Sequence, residues 1–483
     1  MTAVTVVEGL QIGSRRSAVA EGVPRAKQFD GIGAGLGDDG PELLPLDAGE
    51  QYRFTFAMES CVGCHSCEVA CAEQNGLPAG TAWRRVGEFE GGEFPTTKRF
   101  HLSMSCNHCL DPACLNGCPT NAYVKLDNGV VDHNADDCIG CQYCTWNCPY
   151  SVPAFQPDRR IVTKCDMCLP RLEEGLKPAC VGACPTRALD VEVVDVDEWV
   201  ADHAEADAPH LPPADLTLST TRIILPKGDL GETAAASDFD LHPEHPHWPL
   251  VVLTLLTQVA LGASLTATDQ VQRLVAAVLA GGALAGSMAH LGRPAHAWKA
   301  LRNLRRSWLS REVLLLGAYA GLAATAVVAP RVAPVAAVVG TAGVFASGRL
   351  YVVPGRPSWH TPLTIVAFFL TALATGPLVT GLPGVAAAAV GAQLVVWTAN
   401  LVRLRRDPRR EWNGTAALYR HPFGGLTALR WVLALGGAAA AFASLPVGLG
   451  LVVLGELTGR YLFYVTVVPL NIPGSFFGAH RRH

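Results

Sequence analysis

Sixteen cysteines carry the recognisable chemistry of this sequence, and they fall into four sets. The first is Cys61, Cys64, Cys67 and Cys71, with two, two and three residues between them. The second is Cys106, Cys109, Cys114 and Cys118, in which the middle interval opens to four residues. The third, Cys138, Cys141, Cys144 and Cys148, repeats the spacing of the first. The fourth, Cys165, Cys168, Cys180 and Cys184, opens the middle interval to eleven residues. Proline follows the last cysteine of sets two, three and four, and Ala72 takes that place in set one. Three thiolates at three-residue spacing let one tight loop wrap three corners of an iron–sulfur cubane. The fourth cysteine, at the following helix, ligates the partner cluster. Zinc sites instead present separated CxxC pairs, and disulfides do not persist in a reducing compartment.

Sixteen thiolates suffice for four [4Fe–4S] clusters. Sets two and three lie 20 residues apart and exchange their last cysteines as one two-cluster unit, leaving sets one and four to form the other. The expected ligand groups are Cys61, Cys64, Cys67, Cys184; Cys71, Cys165, Cys168, Cys180; Cys106, Cys109, Cys114, Cys148; and Cys118, Cys138, Cys141, Cys144. Around them, Tyr123–Val131 with Asp127-Asn128-Gly129 at its centre reads as a β-hairpin. Four such clusters in one domain have one plain use, the movement of single electrons.

The rest of the chain is a different object. Residues 1–245 carry 18 Lys and Arg against 37 Asp and Glu, and residues 246–483 carry 20 against 5. Every cysteine lies in the acidic part. In the basic part, eight apolar segments are long enough to span a bilayer: 249–267, 271–290, 311–329, 332–351, 361–380, 384–402, 426–443 and 446–466. The expected fold is therefore an α+β double ferredoxin-like domain followed by an all-α eight-helix transmembrane bundle. The expected division is a polar, poorly ordered leader (1–50), the cluster domain (51–192), an acidic Pro-rich linker or strap with a short strand at Thr221–Leu225 (193–246), the membrane bundle (247–468) and a tail (469–483). The leader holds Arg15-Arg16 but no apolar run of signal-peptide length. Nucleic-acid binding does not fit this composition.

Alternate membrane loops differ sharply in charge. One face receives sixteen Lys and Arg, from Arg293 to Arg482, and the other only Arg273 and Arg331. Basic loops mark the cytoplasmic side, so this is expected to be a multi-pass plasma-membrane protein. The cluster domain precedes the first span and should share that cytoplasmic face.

Residues 51–192, through CVGCHSCEVAC, SCNHCLDPAC, CIGCQYC, TKCDMC and CPTRALD, resemble the iron–sulfur subunit of the dimethyl sulfoxide reductase family. Residues 246–466, through HWPLVVLTLLTQVALG, HLGRPAHAWKALRNLRRSWLSRE, RLYVVPGRPSWHTP and GELTGRYLFY, resemble its membrane anchor subunit. The chain looks like a natural fusion of the two. The resemblance implies a separate catalytic subunit carrying a molybdenum–pterin cofactor, with menaquinol from the quinone pool oxidised at the anchor. By the same likeness His290, in a His-Leu-Gly motif, is implied in quinol binding, and Glu312 matches an acidic position of the anchor.

Ionisable residues within apolar spans are costly and need a partner or a task. His290 has the chemistry to take a proton from a quinol hydroxyl. Glu312 suits proton relay or a helix N-terminus. Glu456 and Arg460, four residues apart, are expected to face one another as a structural ion pair within the bundle, and Arg349 and Tyr351 to line a quinone pocket. His290 is the one histidine well inside a span, so no b-type haem is expected. Two other readings stay open: the same architecture run in reverse from a formate dehydrogenase-like oxidative partner, and a passive membrane anchor.

Overall fold

The computed structural model describes residues 43–228, 230–239 and 241–474. The leader expected over 1–50 and the tail expected over 469–483 lie largely outside the described residues. In the first strand, Glu50–Ala57, Tyr52, Phe54 and Phe56 alternate toward the core of the cluster domain, as the two-residue period of a strand requires. This strand pairs antiparallel with Leu189–Asp195 and parallel with Arg222–Ile224. A second sheet joins Arg85–Gly91 to Lys98–Met104 and to Thr233–Ala235. Two small hairpins, Tyr123–Lys125 with Val131–His133 and Ala154–Gln156 with Ile161–Thr163, lie between cysteine sets. The Asp127-Asn128-Gly129 turn closes the first of them.

The acidic segment after residue 193 is a strap that completes the cluster domain. It adds a strand to each three-stranded sheet. Asp195 caps the helix Val196–Asp202 by accepting from the Asp197 and Glu198 amides. Trp199 on that helix is buried beneath Arg53 and donates to the Ser219 carbonyl.

The membrane half holds the helices Trp248–Thr266, Gln270–Ser287, Trp308–Val328, Ala333–Leu350, Pro362–Val379, Pro383–Arg406, Gly424–Ala440 and Leu445–Val465. Seven are long and apolar enough to cross a membrane alone. The expected span over 426–443 is the exception. It passes only together with Arg410–Arg420, from which it bends by 69°, the shape of a broken span or a re-entrant loop. Small residues set the packing, as they do where helices associate in lipid. A Cβ at Gly262 of the first helix would fall 1.9 Å from the Ala372 carbonyl oxygen of the fifth, and Gly376 makes the reciprocal contact.

Candidate iron–sulfur relay and its membrane contact

The four CxxC loops share one backbone feature. The residue before the second cysteine is left-handed in each: Gly63 (φ 65°), His108 (φ 45°), Gly140 (φ 67°) and Met167 (φ 59°). That reversal recurs at the same place in every loop. Glycine also serves close approach at two of these turns, since a Cβ on Gly63 would collide with the His101 ring and one on Gly140 with the Arg160 carbonyl. The prolines after Cys118, Cys148 and Cys184 have a visible effect as well. The chain leaves each helix at or beside the cysteine and turns left-handed three residues on, at Asn121, Ser151 and Arg187. With Ala72 in that place, the helix Ser66–Gln74 runs straight past Cys71.

The thiols lie in neighbourhoods of four. Cys61 is influenced electrostatically by Cys67, Cys184 and Cys64, and Cys71 by Cys180 and Cys168. Cys109 and Cys114 feel Cys106 and Cys148, while Cys141 and Cys144 feel Cys118 and Cys138. Links between groups place them in sequence. Cys67 feels Cys180, Cys165 feels Cys106, and Tyr123 feels both Cys144 and Cys114. Cys64, at one end of this line, is exposed. Its thiol is lowered by the Ser66 hydroxyl.

The donor chemistry fits iron–sulfur clusters. Burial pushes Cys61 up to about 11 and Cys71, Cys109 and Cys141 up to about 12, so as bare thiols they would stay protonated at neutral pH. Binding to a metal cation reverses that preference. Cys106, Cys109, Cys114 and Cys148 line a single cavity. Sulfur-directed donors are in place: Met167 N–H to Cys165 (3.3 Å), Gly140 N–H to Cys138 (3.4 Å), Ala122 N–H to Cys118 (3.4 Å) and the Thr217 hydroxyl to Cys109 (3.2 Å). Two cations are buried among the groups. Burial works against the charges of Arg84 and Lys164, but the surrounding cysteines more than offset it and raise both.

The group containing Cys118, Cys138, Cys141 and Cys144 meets the membrane half, at the end that carries its basic loops. Asn303 donates to the Cys118 carbonyl (2.8 Å) and Ser307 to the Gly117 carbonyl (2.7 Å). Arg293 donates from its amide to Ile139 and from its side chain to Ala135, and Lys299 and Arg302 both pair with Asp137. Two aromatic residues of the third set reach furthest. The Tyr143 hydroxyl donates to the Leu350 carbonyl at 2.8 Å. Trp146 packs among His247, Trp359, Tyr351 and Tyr464, with ring centroids 5.2 to 6.3 Å away.

The six polar candidates of the membrane half find partners on several helices. Glu312 is buried within electrostatic reach of Tyr143, Tyr351 and Tyr464, and the Tyr351 and Tyr464 hydroxyls bond to each other. His290 ends the second helix, where Nδ1–H donates to the Ser287 carbonyl and leaves Nε2 as an acceptor. His290 also lies within electrostatic reach of His247. Arg349 donates to the Val352 carbonyl, lies over the Trp308 ring and is within electrostatic reach of Tyr143.

Glu456 and Arg460 adjoin these residues: Arg460 is within electrostatic reach of Tyr464, Glu456 and Tyr351 and lies over Phe463, which stacks on Trp359 (4.8 Å, 10°). The ion pair expected between Glu456 and Arg460 is not formed. Glu456 accepts from Thr371 (2.7 Å) and Gln393 (3.1 Å), whereas Arg460 donates to Gln258 (2.6 Å) and covers the Phe368 ring. Neighbouring helices supply better-placed partners than the same-helix position does. Both residues line a cavity of about 100 Å³. Sequence reasoning missed Tyr143, Trp146, His247, Trp359, Tyr464 and Asn303 at the contact. The available signal was two aromatics set between cluster ligands, where a cluster by itself requires none.

Two known families divide the chain in the same way. Residues 97–194 match the 4Fe-4S dicluster domain, and residues 241–405 match the DMSO reductase anchor subunit. A chain of the anaerobic dimethyl sulfoxide reductase of Haemophilus influenzae is 41% identical over 177 residues, 35% of the present polypeptide and 86% of that protein. The polypeptide belongs to the dimethyl sulfoxide reductase family. It carries the iron–sulfur subunit and the anchor subunit of that family in one molecule. A probable anaerobic dimethyl sulfoxide reductase chain of Escherichia coli is 36% identical over 202 residues, 40% of the present polypeptide and 98% of that one. A sulfite dehydrogenase subunit of Allochromatium vinosum is 39% identical over 174 residues, 31% and 72% of the two chains. This member of the dimethyl sulfoxide reductase family is thus an iron–sulfur electron-transfer subunit with its own membrane anchor.

Proposed function

We propose that this chain oxidises menaquinol at its membrane half and passes the electrons through four [4Fe–4S] clusters, held by the four cysteine groups, to a separate molybdopterin-containing catalytic subunit. The observation that carries this reading is the seat of Tyr143 and Trp146. Both belong to the loop of one cysteine group, and both touch the membrane residues that surround Glu312 and Tyr351. A quinol ring there would lie next to the first electron acceptor, with no further carrier needed.

The clusters supply one-electron storage; the protein's residues manage the protons. His290 Nε2 is free to accept a quinol hydroxyl proton because Nδ1–H is committed to Ser287. Glu312 gives a second proton-accepting group on the Tyr351 side. At the far end, the exposed Cys64 marks where electrons leave toward the partner. The cluster domain takes the cytoplasmic side, because it docks on the end of the bundle that carries the basic loops.

The test is reduction of the clusters by a menaquinol analogue in the purified, membrane-extracted chain, followed by EPR. The wild type should reduce quickly and H290Q at least tenfold more slowly, while both reduce equally with dithionite. Equal quinol-driven rates would leave the membrane half a passive anchor. The likeness to the sulfite dehydrogenase subunit, which is named for an oxidative enzyme, favours a second reading in which electrons run the other way, into quinone. Cluster potentials all far below that of menaquinone would decide for it.

A further inference from the structure

His108 belongs to the loop of one cysteine group but points at a ligand of another. It sits between Cys106 and Cys109, is fully buried, and adopts φ 45°. Its Nδ1 accepts the Val131 amide at 3.0 Å. An imidazole nitrogen that accepts an N–H carries no proton, so the proton of the neutral ring is on Nε2. A buried N–H needs an acceptor. Among the described residues the one within reach of Nε2 is Cys165 Sγ, at 3.9 Å. Cys165 lies with Cys71 and Cys180, the neighbouring group. The backbone of His108 is held as well, because Lys125 Nζ donates to its carbonyl at 2.9 Å.

We propose that His108 is a positioning residue that couples two successive clusters, donating its Nε2–H to the Cys165 sulfur of the Cys71/Cys165/Cys168/Cys180 cluster. The inference rests on the four-cluster reading above. A hydrogen bond to a ligand sulfur favours the more negative, reduced cluster and so raises its potential. The same bond gives a path of covalent links and one N–H···S contact between the two clusters. One electron leaves the Cys106/Cys109/Cys114/Cys148 cluster and enters its neighbour. The first is oxidised by one electron, the second is reduced by one, and Nε2 keeps its proton.

The experiment uses the full-length chain with clusters assembled, and EPR-monitored redox titration as its readout. H108L removes the donor and should lower the midpoint potential of one cluster of the four. H108Q, whose side-chain NH₂ can reach the place of Nε2, should restore it. Unchanged potentials in H108L at full iron content would overturn the proposal while leaving the four-cluster reading intact. Iron far below about sixteen per wild-type chain would overturn that reading itself. Should H108L fail to assemble, the wild type grown with ¹⁵N-histidine answers the same question. A histidine ¹⁵N hyperfine coupling on a reduced cluster is expected, and its absence counts against the proposal.

Discussion

The Tyr143 hydroxyl donates to the Leu350 carbonyl across the boundary between the iron–sulfur half and the membrane half, at 2.8 Å. Tyr143 lies between Cys141 and Cys144, and Leu350 is the last residue of the fourth membrane helix. One side chain therefore ties a cluster loop to the helix end that carries Arg349 and Tyr351. Y143F keeps the ring but leaves a buried carbonyl without its donor, a loss of about 1–3 kcal/mol. Its expected signature is a lower thermal transition for the assembled protein together with slower quinol-driven cluster reduction. Reduction by dithionite should not change.

Glu456 and Arg460 should behave as neighbours that influence each other without being paired. Each bonds to partners on other helices, Thr371 and Gln393 for one and Gln258 for the other. A double-mutant cycle of E456Q and R460Q should give a small coupling of about 0.5–1 kcal/mol, that of neighbouring groups that are not paired. A coupling of several kcal/mol in detergent unfolding would mean that the two charges are paired after all.

The crossing of the first and fifth membrane helices tolerates no side chain. G262A would place a methyl group 1.9 Å from the Ala372 carbonyl oxygen, so the backbones must part. Overpacking of this kind costs about 1–3 kcal/mol. Reduced thermal stability of the membrane half is the expected result, with the iron content of the chain unaffected. An alanine at Gly281, where nothing stands within 4 Å of the new Cβ, is the control.

His133 predicts an acid sensitivity. Burial first, then Lys164 and Arg159, bring its pKa down to about 3 from the usual 6.5. In the unfolded chain the ring takes a proton near pH 6.5, whereas in the folded chain it stays neutral. Its stabilising effect is thus complete above about pH 6.5 and is lost as pH falls from there toward 3, at up to about 1.4 kcal/mol per pH unit. H133Q cannot titrate, so its stability should fall less steeply than the wild type's between pH 6.5 and 4.5. Parallel slopes by chemical denaturation would contradict this origin.

The sequence announced the cluster loops because ligand spacing is set by the geometry of the cluster itself. It did not announce that His108 and Met167 would take the left-handed turn that glycine takes at Gly63 and Gly140, since there tertiary contacts override residue preference. Apolar length revealed the membrane helices, but the 69° bend before Gly424 left no mark in hydropathy. Helical periodicity places Glu456 and Arg460 on one face and says nothing about which neighbouring helix competes for each. The contact formed by Tyr143 and Trp146 was hidden for the same reason, because its partners lie more than 200 residues further along the chain or, like His247, at the cap of the first membrane helix.

The strap leaves the iron–sulfur half by way of Glu244, whose amide bonds to the Val465 carbonyl of the eighth membrane helix, and then enters the first membrane helix. A covalent tether of this kind fixes the two halves at one copy each. It also makes their docking an intramolecular event, with an effective concentration in the millimolar range for a short connection. A contact made of hydrogen bonds along the basic loops, one doubly bridged aspartate and a tryptophan can then stay closed at any expression level, where separate subunits would first have to find each other by diffusion.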